Sequence, residues 1–281
     1  MMVFLNGELV PDQQAVVSVF DRCFLYGDGL FETMRVLNGK PFRWPQHVER
    51  LRRGAEFLKI RLPHEPDTLR GLADDLIAVN QMPDALLRLT VSRGVGVRGY
   101  SPKGADQPIT VMSLHPAPPL ADHSLTQWRL VTSSFHLPAN EPLAQFKTCN
   151  KLAQVLARAD ADAAGADEAL LMNTDGFVVE GASSNLFWIE NGEVCTPPLA
   201  SGILAGVTRL GVMELCGDLG LALRERNTKP EGLLQAQGVF LSLSSVGVAE
   251  AASLDTHPLL RSPLTSKLAG RYLQVLQDET T

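Results

Sequence analysis

The chain has 281 residues, with 25 Lys+Arg, 31 Asp+Glu and a formal charge of −6. With 45% hydrophobic and 20% charged residues, this is a globular composition for one large or two modest domains, and a disordered chain is excluded. The acidic balance argues against a nucleic-acid partner, and no apolar run reaches the ~18 residues that a membrane span needs.

Met1–Glu8 shows neither a basic region nor a long apolar region, so no signal peptide is expected. Cys23, Cys149, Cys195 and Cys216 lie far apart without a CxxC pair. That usage suits a reducing, cytoplasmic setting rather than a disulfide framework or a zinc site. Met2–Leu5 and Leu9–Val10 flank Asn6-Gly7, and Phe31–Leu37 and Pro41–Trp44 flank Asn38-Gly39. Both dipeptides predict tight hairpins. A helix is expected from Pro45, with Val48, Leu51, Ala55 and Leu58 on one face, and a second over Asp67–Asn80. Strands are expected at Ala85–Ser92 and Ile109–Leu114. The run His115–Asp122 carries three prolines in four residues, which continue neither strand nor helix. It divides the chain into an N-terminal α/β domain (1–115), a linker (116–122) and a C-terminal domain (123–281).

The second half opens with a strand, Trp128–Ser133. A helix over about Thr148–Ala164 is expected to turn Leu152, Val155, Leu156 and Ala159 inward. Hairpins follow at Asp175-Gly176 and Asn191-Gly192, then a helix at Val207–Leu219, a strand at Val239–Ser244 and a helix at Ser266–Asp278. There is no fixed-period repeat. The fold class is mixed α/β in two parts.

Gly94-Val95-Gly96-Val97-Arg98-Gly99 matches a dinucleotide fingerprint in letters only, because Tyr100-Ser101-Pro102 follows where a helix must start. The stretch reads as a flexible loop that could bring Arg93 or Arg98 to an anion. The six histidines form no H-x-x-x-H or H-E-x-x-H pair, so no metal site is expected. Lys147 stands between Leu143-Ala144-Gln145-Phe146 and an apolar-faced helix, where desolvation favours a neutral, nucleophilic amine. Glu180 ends an apolar strand and precedes Gly181-Ala182-Ser183-Ser184-Asn185, a setting for a buried carboxylate holding a cation. Leu204-Ala205-Gly206-Val207-Thr208-Arg209 opens a helix, whose first N–H groups favour an anion. Each of these also has an ordinary structural reading: a solvated lysine, a strand-end glutamate, a plain helix start.

Taken in order, these pieces resemble the class IV (fold type IV) pyridoxal-phosphate enzymes. The matching stretches are Tyr26-Gly27-Asp28-Gly29-Leu30-Phe31-Glu32, His47-Val48-Glu49-Arg50-Leu51, Phe146-Lys147-Thr148-Cys149-Asn150, Glu180–Phe187 and Gly202–Arg209. The resemblance implies a two-domain, D-amino-acid-aminotransferase-like fold, pyridoxal 5'-phosphate as cofactor and a homodimer. It makes Lys147 the catalytic lysine that carries the cofactor and moves protons. Glu180 becomes the partner of the pyridine nitrogen. Arg50, Val207, Thr208 and Ser244 fall at the phosphate, Leu204 on a ring face, and Ser183, Ser184 and Asn185 among the cofactor contacts.

Within the family, Arg93–Pro102 with its R-G-Y-S run, and Lys147–Leu152 followed by Gln154-Val155-Leu156, resemble aminodeoxychorismate lyases more than transaminases. Tyr100 stands where D-amino-acid aminotransferases usually have His, and Phe31 where they usually have Tyr. The expected reaction is conversion of 4-amino-4-deoxychorismate to 4-aminobenzoate and pyruvate, in folate biosynthesis. Phe31, Arg98 and Tyr100 are the substrate-binding candidates. The alternative is transamination of D- or branched-chain amino acids.

Overall fold

The computed structural model describes residues 1–120 and 125–281. The chain divides into two compact units, one comprising Met1–Pro118, Phe146–Lys151 and Gln277–Thr281, the other Pro119–Gln145 and Leu152–Leu276. These bounds differ from the expected domains. Residues 146–151 join the first unit because the backbone around Lys147 pairs with a strand there, and residues 277–281 belong to it as well. The end of the expected 116–122 linker and the start of the expected second domain at 123 lie outside the described residues.

The first unit contains β1 (Met2–Leu5), β2 (Glu8–Pro11), α1 (Arg22–Tyr26), β3 (Gly29–Leu37), β4 (Lys40–Pro41), α2 (Trp44–Leu58), α3 (Pro66–Asn80), β5 (Ala85–Ser92) and β6 (Ile109–Pro116). Its sheet runs β2-β1-β6-β5-β3-β4, antiparallel throughout. The Asn6-Gly7 and Asn38-Gly39 turns have positive φ at both residues, the geometry that matches strand twist and that Asn and Gly tolerate best. Trp44 is the start of α2 and not the end of a strand, so β4 is only two residues long. The α2 face formed by Val48, Leu51 and Ala55 is buried with Leu30, Met34 and Val36 of β3. Gly54 lets α2 come this close, since a Cβ there would stand 2.9 Å from Leu30 Cδ2. The linker expected from residue 116 begins one residue late, because β6 still pairs Pro116 with Ala85.

The second unit holds β7 (Thr126–Leu137), α4 (Leu152–Ala164), β8 (Glu168–Asn173), β9 (Val178–Gly181), β10 (Asn185–Glu190), β11 (Glu193–Thr196), α5 (Val207–Asp218), β12 (Leu223–Glu225), α6 (Pro230–Leu234), β13 (Gly238–Leu243), β14 (Gly247–Leu254), β15 (His257–Pro258) and most of α7 (Pro263–Thr280). Its nine-stranded sheet runs β12-β11-β10-β13-β14-β7-β8-β9, with β15 paired to β14 off this path and β9 paired to β10 as well. Six strands therefore close on themselves, and the closing pair is Glu180 opposite Asn185.

Two expectations fail here. The helix starts at Leu152 and not at Thr148, because 147–149 is extended against β3. The expected inward face is also wrong: Leu152, Val155, Leu156 and Ala159 are exposed, Leu152 at 65%. Ala157 and Ala161 are buried instead, against Ala169 and Leu171 of β8. Small side chains let the helix lie close to the sheet, and the larger apolar ones on the other side are left uncovered within this chain.

Candidate active site

In the first unit, Lys147 is fixed by backbone pairing. The Phe31 N–H donates to the Lys147 carbonyl at 2.9 Å, the Cys149 N–H donates to the Gly29 carbonyl at 2.9 Å, and Leu30 and Thr148 form an antiparallel bridge. A short extended segment thus lies along the start of β3, and Lys147 sits next to Phe31. Its Nζ is 4.7 Å from the Phe31 ring centroid, and the Arg88 guanidinium carbon is 3.9 Å from the same centroid. Phe31, a substrate-binding candidate, is therefore flanked by two cationic side chains.

Beside it lies a carboxylate that sequence reasoning did not place in the site. Glu32, only 1% exposed, accepts Arg50 Nε on Oε1 at 2.8 Å and Arg50 Nη2 on Oε2 at 2.5 Å, and Oε2 is 2.7 Å from His47 Nδ1. His47 and Arg50 are three apart on α2 and so share one face, a spacing that was a readable signal. Burial by itself would raise the Glu32 carboxyl. The Arg50 charge and hydrogen bond, with the His47 bond, outweigh it and hold the group at about 2. Burial pushes His47 below its ordinary value. Glu32 opposes this, while the charges of Arg50 and Lys147 reinforce it. Glu32 is then the acceptor-only partner, and His47 donates through Nδ1–H.

Both groups make the fold acid-labile. A carboxyl held at about 2 rather than 4.5 contributes stability at neutral pH that is lost as pH falls from about 4.5 toward 2. A lowered His47 stays neutral in the fold while the unfolded chain gains its proton below about 6.5. The thermal midpoint, followed by circular dichroism, should fall steadily as pH is lowered from 6.5 to 3. A midpoint that stays flat over this range contradicts the assignment.

The glycine loop is built around Arg22. Its Nη1 donates to the carbonyls of Gly99 (3.0 Å) and Ser101 (3.2 Å), its Nη2 to the carbonyl of Tyr100 (3.1 Å), and its Nε to Asp28 (2.8 Å). Arg93 does not reach outward for an anion from outside the chain. It is buried and donates to Asp28 and to the carbonyls of Leu58 and Lys59. Arg98 is exposed, and Tyr100 is 88% exposed with its ring edge-on to Tyr26.

In the second unit, Glu180 is buried at the strand closure. Its Oε2 accepts the Leu204 N–H at 2.9 Å and Asn185 Nδ2 at 3.4 Å, and Asn185 Nδ2 also donates to the Leu204 carbonyl at 3.0 Å. Leu204 is thereby tied to the carboxylate. Gly206 caps α5 without a side chain, and a Cβ there would fall 1.9 Å from Asn185 Oδ1. Val207 and Thr208 form the first turn of α5, whose N–H groups lack helical partners. The Thr208 hydroxyl is 3.5 Å from Ser244 Oγ and 3.5 Å from the Tyr272 hydroxyl. Arg209 anchors this turn by donating to Glu225, Pro197 O and Thr196.

Ser183 and Ser184 share one buried carboxylate. Both hydroxyls donate to Glu168 Oε2, at 2.6 and 3.2 Å, and the Ser183 N–H joins them. Glu168 is fully buried, and a buried carboxyl group takes the nearest donors. These hydroxyls hold the β9–β10 corner.

Of the four thiols, Cys149 alone is lowered, first by a hydrogen bond from Cys23. The Cys23 thiol is raised by that same bond and by burial, burial raises Cys195, and Cys216 is pushed up to about 11. Iodoacetamide should label Cys149 first, read by peptide mass spectrometry. Earlier labelling of Cys195 or Cys216 would contradict this order.

Each unit carries chemistry of its own: the first an amine and a guanidinium, the second a buried carboxylate and a helix start with two hydroxyls. An amine suits an aldehyde cofactor, a buried carboxylate suits a protonated ring nitrogen, and a helix start suits a phosphate. The comparisons agree. The T.th. branched-chain amino acid aminotransferase, solved with pyridoxamine 5'-phosphate, has TM-score 0.91 and 28% identity, covering 98% of this chain and 94% of that one. The fold is therefore that of a fold type IV aminotransferase. Residues 29–254 match the family described as amino-transferase class IV, and the chain belongs to it. Membership indicates pyridoxal phosphate as cofactor. A Methanocaldococcus jannaschii protein assigned as a branched-chain-amino-acid aminotransferase is 34% identical over 98% of this chain and 96% of its own length. The aminodeoxychorismate lyase of Bacillus subtilis is 31% identical over 86% of this chain and 83% of its own length. Among the described residues, no helix is long and apolar enough to cross a membrane.

Proposed function

We propose that the chain is an aminodeoxychorismate lyase, a cytoplasmic homodimer that converts 4-amino-4-deoxychorismate to 4-aminobenzoate and pyruvate. The observation that carries this reading is the Arg93–Ser101 loop. Arg22 clamps three of its carbonyls, and the loop presents Arg98 and Tyr100 outward. A guanidinium on such a loop suits the ring carboxylate of this substrate. The lyase relative supports the reading. Transamination is the second reading, and the branched-chain relative favours it. The dimer is supported by the uncovered apolar side chains Val16, Val19, Phe20, Phe24, Val95 and Val97 in the same region.

Bound pyridoxal phosphate supplies an electron sink for the carbanion formed at the substrate carbon that bears nitrogen. Lys147 Nζ removes the C4 proton of the substrate. The C3–O bond then breaks, the enolpyruvate leaves and takes up one proton in place of the one removed from C4 to become pyruvate, and the ring becomes aromatic. Glu180, held by the Leu204 N–H, would keep the ring nitrogen of the cofactor protonated. Arg50, Thr208, Ser244 and the first N–H groups of α5 would hold its phosphate, and Leu204 would pack against it. Phe31 and Tyr100 flank the substrate.

The test supplies chorismate, glutamine and an aminodeoxychorismate synthase, and reads 4-aminobenzoate by fluorescence. Product formed only when this protein is present supports the lyase. No product, together with amino transfer from D-alanine or a branched-chain amino acid to 2-oxoglutarate, replaces it with the transaminase reading.

A further inference from the structure

We infer that Glu32 is a positioning residue for the cofactor phosphate, acting through Arg50. The inference rests on the reading above that Arg50 holds that phosphate. A negative charge is an unexpected neighbour for an anion site, because through space it repels the ligand. Its geometry explains its presence. Glu32 takes Arg50 Nε on one oxygen and Nη2 on the other, a bidentate fork that fixes the guanidinium plane rather than only its charge. His47 Nδ1 holds the second oxygen at 2.7 Å, so the carboxylate cannot rotate with the arginine. The three residues come from rigid elements, Glu32 from β3 and the other two from one face of α2. The same β3 backbone fixes Lys147 one residue earlier, through the Phe31 N–H. One strand therefore places both the amine and, through Glu32, the guanidinium.

Charge and geometry predict opposite results, which makes the inference testable. If net charge governed phosphate binding, removing the Glu32 charge would tighten it. If orientation governs, removing it loosens binding, because the fork is lost. Glu32→Gln preserves shape but turns one acceptor into a donor that faces Arg50 Nη2 and His47 Nδ1. The apoenzymes of wild type, Glu32→Gln, Glu32→Asp and Arg50→Ala would be titrated with pyridoxal phosphate and with pyridoxal, which lacks the phosphate. Protein fluorescence reads both affinities, and apoenzyme melting is followed in parallel.

In Glu32→Gln, pyridoxal phosphate affinity should fall roughly 10- to 100-fold, the value of charge-assisted hydrogen bonds, while pyridoxal affinity stays within a factor of about 2. Glu32→Asp, with its carboxylate drawn back by one methylene, should fall between the two. It also carries the test if the Gln variant does not fold. Equal or tighter pyridoxal phosphate binding in Glu32→Gln overturns the inference in favour of simple charge. Equal loss for both ligands overturns it in favour of a general structural role. An Arg50→Ala variant with an unchanged preference for the phosphorylated ligand removes the reading of Arg50 on which the inference stands. Collapse of that preference in Arg50→Ala but not in the Glu32 variants removes the inference alone.

Discussion

Replacing Lys147 with alanine is expected to lower turnover about 10³-fold or more, the range lost when a positioned proton-transfer group is removed. The expectation comes from placement. Phe31, Leu30 and Gly29 hold the 147–149 backbone on β3, so the ammonium cannot drift along the surface as an ordinary helix-start lysine would. The Phe31 ring 4.7 Å from Nζ gives it an apolar and π-rich wall. Borohydride treatment of the wild-type holoenzyme should fix the cofactor to the peptide that contains Lys147, and mass spectrometry should find no such adduct in the variant. Lys151→Ala, four residues further along the chain and just before α4, should retain activity. Turnover retained in Lys147→Ala, or an adduct at another lysine, would falsify the role given to it.

The second large effect is expected at Glu180. Glu180→Gln should lower kcat by about 10²–10³-fold, the cost of losing one preorganised electrostatic partner of the reacting system. The side chain is buried, and its Oε2 is held by the Leu204 N–H at 2.9 Å and by Asn185. A glutamine preserves an acceptor for Leu204 but carries no charge to keep a ring nitrogen protonated. The loss should therefore fall on kcat, with KM little changed. Steady-state kinetics on both variants decides the matter. A drop confined to KM would mean that Glu180 shapes binding and leaves the chemistry untouched.

Glu168, Glu180 and Glu32 show why carboxylates are hard to rank from sequence. All three lie on strands, and all three are buried. Glu168 collects Ser183 and Ser184, Glu32 collects Arg50 and His47, and Glu180 collects a backbone N–H and an amide. Only the partners distinguish a corner brace from a cofactor contact, and the partners come from elsewhere in the chain. Family resemblance placed Glu180 at the ring nitrogen but gave no role to Glu32 or Glu168.

Local chemistry was legible where local physics decides. Asn-Gly turns at 6–7, 38–39 and 191–192 follow from the residues that tolerate positive φ. The α2 stripe of Val48, Leu51 and Ala55 follows from 3.6-residue periodicity. β14, a central strand written Gly-Val-Ala-Glu-Ala-Ala-Ser-Leu, escaped notice because small residues carry little β signal, and its pairing with β7 and β13 makes it a strand.

The sequence by itself determined the class of chemistry. An amine at 147, a carboxylate at 180 and a helix start at 207 stand in the order and spacing of the class IV family, and their functional groups are fixed by covalent structure. Tertiary structure decided what surrounds them. Residues 147–149 are extended along β3, Leu152 and Val155 face outward, and Arg93 is spent on Asp28 and two carbonyls while Arg98 is not. Those outcomes depend on long-range backbone pairing and on which donors reach a buried carboxylate first. Neither is encoded in the residues' own neighbourhood.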